Sequence, residues 1–148
     1  MLDDVKLTGG PQAAHAARSV VEGFVAGLSF PLQPELYDDL RLLVSELVTN
    51  SVRHGGVTEL AAVTLRLSVG EHVIRVEVED SGPGFVPRAP APSPDRTSGF
   101  GLVLVEQLTS RWGVDVSGPV RVWFEIDVPP AGRGLIRRHR ETHLRASA

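Results

Sequence analysis

Cysteine is absent from the 148-residue chain, which excludes disulfides, cysteine-type zinc knuckles and a thiol nucleophile. That absence accords with a cytoplasmic setting. Also missing is any run of about eighteen apolar residues, the minimum for a membrane-spanning helix. The N-terminus has no basic run leading into an apolar core; the acids Asp3 and Asp4 stand there instead. A soluble protein is expected, neither exported nor held in a membrane. Net positive charge is lacking too. The formal charge is −3, and it is uneven: residues 133–148 hold five arginines and one glutamate, which leaves the first 132 residues with ten basic and seventeen acidic groups, or −7. An acidic body is a poor ligand for a phosphate backbone, so no direct nucleic-acid partner is expected of it; only the tail carries suitable charge.

The remaining composition is ordinary for a folded domain, with 42% hydrophobic and 22% charged residues, and the length suits one domain with its own core. The chain is organised around the stretch from Leu42 to Gly56. Leu36, Leu40, Leu43, Val44, Leu47, Val48 and Val52 recur at the spacing of a helix buried on one face. Glu46 and Asn50 recur at the same period, rotated off that stripe, with Arg53 or His54 following. Residues four apart stand one above the other, so the Glu46 carboxylate and the Asn50 amide are expected to share one environment. Gly55-Gly56 suits the left-handed stop of such a helix.

Along the chain, Val5 to Thr8 reads as an edge strand ended by Gly9-Gly10-Pro11, and a helix follows from Pro11 to about Leu28. Its inward residues are expected to be Ala13, Ala16, Ala17, Val20, Val21 and Phe24. The organising helix restarts at Pro34. Leu60 to Val69 and His72 to Glu79 alternate as two half-buried strands, joined by a near two-residue turn at Gly70-Glu71. Residues 81–98 contain five prolines and two glycines and no apolar period, the character of a long binding loop or lid. A third helix is expected from Phe100 to Arg111, then a hairpin of Trp112 to Val116 and Val120 to Val128 around Gly118-Pro119. Val122, Phe124 and Ile126 share one side of the last strand. Pro129-Pro130 closes a domain of residues 1–130, leaving residues 131–148 as a basic, flexible tail. Strands and helices in this order suggest a two-layer α/β sandwich.

Two further stretches carry chemistry. Asp80, at the end of a strand and followed by Gly82 and Gly84, combines a fixed carboxylate with backbone that a flat ring can approach; the acid can accept a hydrogen bond from an amino group. Gly99 and Gly101 flank Phe100 at the head of a helix, just before Leu102, where unpaired amides and the helix dipole attract phosphate. The ordinary alternatives are a turn at Asp80-Ser81-Gly82 and a cap at Gly99. The five histidines show no metal spacing apart from His139 and His143, which lie in the tail without an acidic setting. Arg111-Trp112 suits packing better than base stacking, since one tryptophan makes no platform.

Taken together, Glu46-Leu47-Val48-Thr49-Asn50, Asp80-Ser81-Gly82-Pro83-Gly84 and Gly99-Phe100-Gly101-Leu102 resemble the N, G1 and G2 boxes of the GHKL ATPase superfamily, which includes gyrase B and the histidine kinases. Within it the chain is most similar to the anti-sigma-factor serine/threonine kinases and their actinobacterial relatives. The likeness covers roughly Val5 to Val128. It implies a Bergerat fold, with a mixed, mainly antiparallel sheet, helices on one face, and ATP with Mg2+ between helix and sheet. It implies that Asp80 takes the exocyclic amine of adenine, that Asn50 supplies an oxygen to magnesium, that Glu46 is the catalytic base, and that Gly82, Gly84, Gly99, Phe100, Gly101 and Leu102 line the nucleotide site. A sigma factor, an antagonist protein and a homodimer are the implied partners.

Two positions depart from the family pattern. Phe100 stands where relatives often have arginine, and Arg121 where they commonly have a threonine on the adenine side. Protein kinase activity therefore stays open beside a nucleotide-dependent binding module. A detached histidine-kinase catalytic domain fits less well.

Overall fold

Burial alternates residue by residue along the strands, which gives the sheet one apolar and one charged face. The computed structural model describes residues 1–54, 62–80 and 100–130, with only the backbone at Arg53, His54 and residues 100–102. The Gly55-Gly56 stop, the expected lid and the basic tail lie outside these residues. The element order is β1 (Leu2–Thr8), α1 (Ala13–Ala26), α2 (Pro34–His54), β2 (Ala62–Val69), β3 (Val73–Asp80), α3 (Phe100–Leu108), β4 (Arg111–Asp115) and β5 (Arg121–Asp127). The strands form one sheet in the order β1-β2-β3-β5-β4. All four pairings are antiparallel, so the described sheet sits at the antiparallel end of what the family likeness implies.

The register assigns the two faces. Leu7, Val63, Leu65, Leu67, Ile74, Val76, Val78, Phe124 and Ile126 stand in adjoining cross-strand positions on the inner face, and each is buried. α1 packs over β1 and β2, α2 over β2 and β3, and α3 against α2 and β4. On α1 the buried residues are Ala13, Ala17, Val21 and Phe24, with Ala16 and Val20 partly covered. On α2 they are Leu40, Leu43, Val44, Leu47 and Val48, with Leu36 and Val52 at the margins. These are the three- and four-residue spacings that bury one helical stripe.

Three local details differ from expectation. Pro11 precedes α1 instead of occupying its first turn: the chain turns at Gly10 with φ of 111°, Gln12 is the N-cap and the helix begins at Ala13. A φ in that range suits glycine, which has no Cβ to clash. The β2–β3 loop is centred on Glu71-His72, because the Gly70 N–H donates to the Val73 carbonyl at 2.8 Å and so belongs to the ladder. The third helix ends at Leu108, and Arg111 already belongs to β4, where its guanidinium reaches across to β5.

No described helix covers the outer face, which carries an interlinked set of ion pairs. Arg66 bonds Asp4 at 3.0 Å, Arg121 bonds Glu79 at 2.9 Å, Arg75 bonds Glu77 and Glu125 at 2.8 and 2.9 Å, and Arg111 bonds Glu125 at 2.7 Å and Asp127 at 2.5 Å. Trp123 lies flat among them, its ring 4.3 Å from the Arg75 guanidinium and against the bare Cα of Gly113. Exposed ion pairs taken singly contribute about 0–1 kcal/mol, and a shared network is where they add up. Glu77, Glu79 and Glu125 each lie within 4.0 Å of two or more arginines, which makes the outer sheet surface polar and its charges paired.

Candidate nucleotide site

Glu46 and Asn50 stand one turn apart on α2, both half-buried, on the flank between its core stripe and its open side. Leu47 and Val48 between them are buried, which fixes the rotation of the helix and therefore the direction of the acid and the amide. One residue earlier, Ser45 accepts a hydrogen bond from the Arg18 guanidinium of α1 at 3.4 Å. Towards the start of the helix the Asp39 carboxyl is pushed above the usual carboxylate range, first by burial and then by Asp38 and Glu35.

Asp80 closes β3 and lies on the helix-facing side of the sheet, only 6% exposed. The period-two alternation that buries Ile74, Val76 and Val78 dictates this orientation. Its N–H donates to the Val120 carbonyl at 3.0 Å, which ties the strand end to β5. Val63 stands opposite it on β2, and Val120, just before β5, lies one step beyond the Glu79–Arg121 pair. A carboxylate opposite Val63 at the end of a rigid strand is a hydrogen-bond acceptor fixed in position. Such an arrangement suits a flat heterocycle with an amino group better than a hydrated cation.

The acid of β3 and the acid–amide pair of α2 thus belong to facing layers, since α2 packs directly on β2 and β3. β2 begins at Ala62, shortly after α2 ends, and its first turn of ladder holds Val63 beside Asp80. α3 begins at Phe100, as the spacing of its apolar residues predicts, so Phe100, Gly101 and Leu102 form its first helical turn, and α3 as a whole packs against α2. N–H groups at the first turn of a helix are suited to an anion. Gly82, Gly84 and Gly99 lie outside the described residues.

One expectation is corrected. Arg121 does not stand on the face of Asp80: its partner in the ladder is Glu79, and its guanidinium bonds Glu79 on the outer face. The sequence carried the signal, because Val122, Phe124 and Ile126 on one side of β5 require Arg121 on the other. Val63, Val120 and Arg18 were not anticipated at the site. Alternation about Asp80 and Arg121 identifies the two valines, whereas nothing in the sequence pairs Arg18 with Ser45.

The donors present fit a nucleotide with a divalent ion. Among the described residues no three or more carboxylate or imidazole groups gather into a cage. A hard cation held by one amide oxygen, a nearby acid and phosphate oxygens needs no such cage.

Comparison with known proteins bears on the family and the fold. The chain is 36% identical over 69 residues to the anti-sigma F factor of Thermoanaerobacter sp., 47% of each chain, and 33% identical over 82 residues to that of Caldanaerobacter subterraneus, 55% of this chain and 56% of the relative. It thus spans about half the length of the curated relatives it matches. A solved histidine kinase domain, from the blue-light activated histidine kinase of Erythrobacter litoralis, shares the fold with a TM-score of 0.55 at 24% identity, over 78% of this chain and 59% of that one. Residues 7–122 match the family described as the histidine kinase-like ATPase domain. With most of its length inside that match, and with a one-sided sheet presenting Asp80 to the helix of Glu46 and Asn50, the chain belongs to the histidine kinase-like ATPase domain family, within the GHKL superfamily.

Proposed function

We propose that this chain binds ATP with Mg2+ between α2 and the inner face of the sheet, and that it acts in the cytoplasm as an anti-sigma-type protein kinase that phosphorylates a serine or threonine of an antagonist protein. The observation that carries it is the placement of Asp80, buried on the helix-facing side opposite Val63, under the layer that presents Glu46 and Asn50. The anti-sigma F factor relatives support the regulatory part of the proposal, a sigma factor and its antagonist being the partners.

Bound ATP with its ion supplies the transferable phosphoryl group. Asp80 accepts a hydrogen bond from the 6-amino group of the base and so orients it. Asn50 offers its amide oxygen to the ion. Glu46 takes the proton from the attacking hydroxyl, general-base assistance of the kind that contributes about 10²–10⁴ in rate. The first-turn N–H groups of α3 hold phosphate oxygens. Phe100 favours a second activity, nucleotide-dependent partner binding without transfer, because an aromatic stands where an arginine would add a cation beside the phosphates.

A magnesium-dependent ATP titration of the wild type and Asp80→Asn tests the site. Asparagine presents an amide of the same size, and its loss of the ionised acceptor is expected to weaken ATP at least tenfold, about 1.4 kcal/mol. Equal affinity in the two proteins removes Asp80 from the base contact. Labelled ATP with candidate antagonists then separates the two activities: label on a serine or threonine marks the kinase, and nucleotide binding without label marks the binding module.

A further inference from the structure

α3 is the shortest of the three described helices, with nine residues, and its attachments to the rest of the protein fall in its second half. Val105 is fully buried, Leu104 and Leu108 pack on the core, and Thr109, just past the end, is buried with its hydroxyl donating to the Val105 carbonyl at 2.5 Å. The Ser110 N–H then donates to the Glu125 carbonyl at 2.8 Å, and the Ser110 hydroxyl accepts from the Asp127 N–H at 2.9 Å, so the end of the helix is fastened to β5. The first turn, Phe100 to Leu102, includes a glycine, a poor helix former, and depends on the rest of the helix for its direction. Leu104, Val105 and Leu108 form one apolar stripe. Apolar contact is non-directional, so the stripe sets how deep the helix lies and leaves its rotation loosely determined.

Glu106 lies off that stripe, on the exposed side of the helix, and its carboxylate accepts a hydrogen bond from the indole N–H of Trp112 on β4. Trp112 is itself held in place, since it stands opposite Phe124 in the ladder and packs against the core. A hydrogen bond is directional, and one to an ionised acceptor is among the stronger kinds. We propose that Glu106 and Trp112 are positioning residues for the phosphate end of the nucleotide site: their bond fixes the rotation of α3, and with it the direction of the N–H groups of its first turn. A helix this short turns as one body, so a tether at Glu106 acts at Phe100 to Leu102. The proposal rests on the ATP-binding reading given above and adds to it a pair that acts through α3 and not on the ligand. The base, in that reading, rests on Asp80 of β3, a different element, so the pair governs the phosphates and not the adenine.

Calorimetric titration of the full chain with ATP and magnesium, and separately with adenosine, tests this. Glu106→Ala removes the acceptor and keeps a strong helix former, and Trp112→Phe removes the donor and keeps an aromatic ring on the core. Each is expected to weaken ATP by about fivefold or more while adenosine stays within about twofold of the wild type. The double variant is expected to bind ATP no more weakly than the weaker of the two, since both lose one shared bond. Glu106→Gln keeps an acceptor oxygen and should hold ATP within about threefold of the wild type. Amide exchange of the nucleotide-free protein gives a second measure: Glu106→Ala should speed exchange along α3 by about fivefold and leave α1 and α2 unchanged. An unaltered ratio of ATP to adenosine affinity in both single variants, an equal loss of both ligands, effects that add in the double variant, or α3 exchange indifferent to Glu106→Ala would each overturn the proposal and leave the site standing. A wild type that binds no ATP would remove the site itself, and the positioning role with it.

Discussion

Glu46 and Asn50 occupy equivalent positions one helical turn apart, yet the proposed chemistry gives them separable duties. An acid that takes a proton only as the hydroxyl attacks contributes to the transition state and little to ground-state binding. Glu46→Ala is accordingly expected to retain ATP affinity within about threefold while phosphoryl transfer falls by about 10²–10⁴. Asn50→Ala should instead lose the magnesium dependence of binding. Titration calorimetry with and without magnesium, beside single-turnover transfer, distinguishes them, and equal loss of both properties in both variants contradicts the assignment. The four-residue spacing put Glu46 and Asn50 in one environment, and it was the company of the Asp80 and Gly99 stretches that gave the pair its chemical reading. Asp80 was legible as a strand end, but its apolar neighbours required the register, because a strand's own sequence names its face and not the residues across from it. Arg121 shows the limit from the other direction: matching it to a family position placed it at the purine, while the alternation of its own strand placed it on the opposite surface.

At the scale of the elements, Gly113 and Trp123 explain how β4 and β5 stay closely joined. A Cβ at Gly113 would stand 2.8 Å from the Trp123 ring, which is itself covered by Arg75. The indole therefore cannot move aside without breaking the stacked guanidinium, and overpacking of this kind costs about 1–3 kcal/mol. Gly113→Ala is expected to lower stability by that amount in urea denaturation without altering ATP affinity, because the contact lies on the face away from Asp80. The elements themselves followed from local pattern. Strands β2 and β3 were readable because valine, leucine and isoleucine alternate with arginine and glutamate, and α2 because its leucines and valines keep the helical period over five turns. What escaped was punctuation: Gly70 reads as a turn residue but bonds across the ladder, and Pro11 reads as a helix start but is separated from α1 by the cap.

For the whole molecule, the outer ion-pair network and the start of α2 respond to acid in opposite senses. Arg111 and Arg75 hold the Glu125 carboxyl below its ordinary range, and Ser117 does the same for Asp115 through its backbone and hydroxyl. A carboxyl depressed in the folded state binds fewer protons there than in the unfolded chain, so its stabilisation is present above the unfolded value near 4.3 and disappears as pH falls through the folded one. Asp39, raised mainly by burial, binds more protons when folded, so its penalty is relieved as pH drops through its elevated value. Thermal stability is therefore expected to hold or rise slightly from neutral to mildly acidic pH and to fall below about pH 4. Glu125→Gln should flatten that acid limb in melts followed by circular dichroism, and an unchanged acid slope counts against the network. High salt is expected to reduce the same contribution, since these pairs are partly exposed.

Trp112 and Trp123 stand on adjacent strands but on opposite surfaces: Trp112 faces Phe124 in the register and donates to Glu106 of α3, while Trp123 lies over Gly113 on the charged side. The chain thereby carries one tryptophan for each surface. With Trp123 replaced by phenylalanine, emission would come from the indole tethered to α3 and would report how that helix is seated. With Trp112 replaced, the signal would come from the arginine-capped indole and follow the integrity of the sheet, so two optical channels are available without a label.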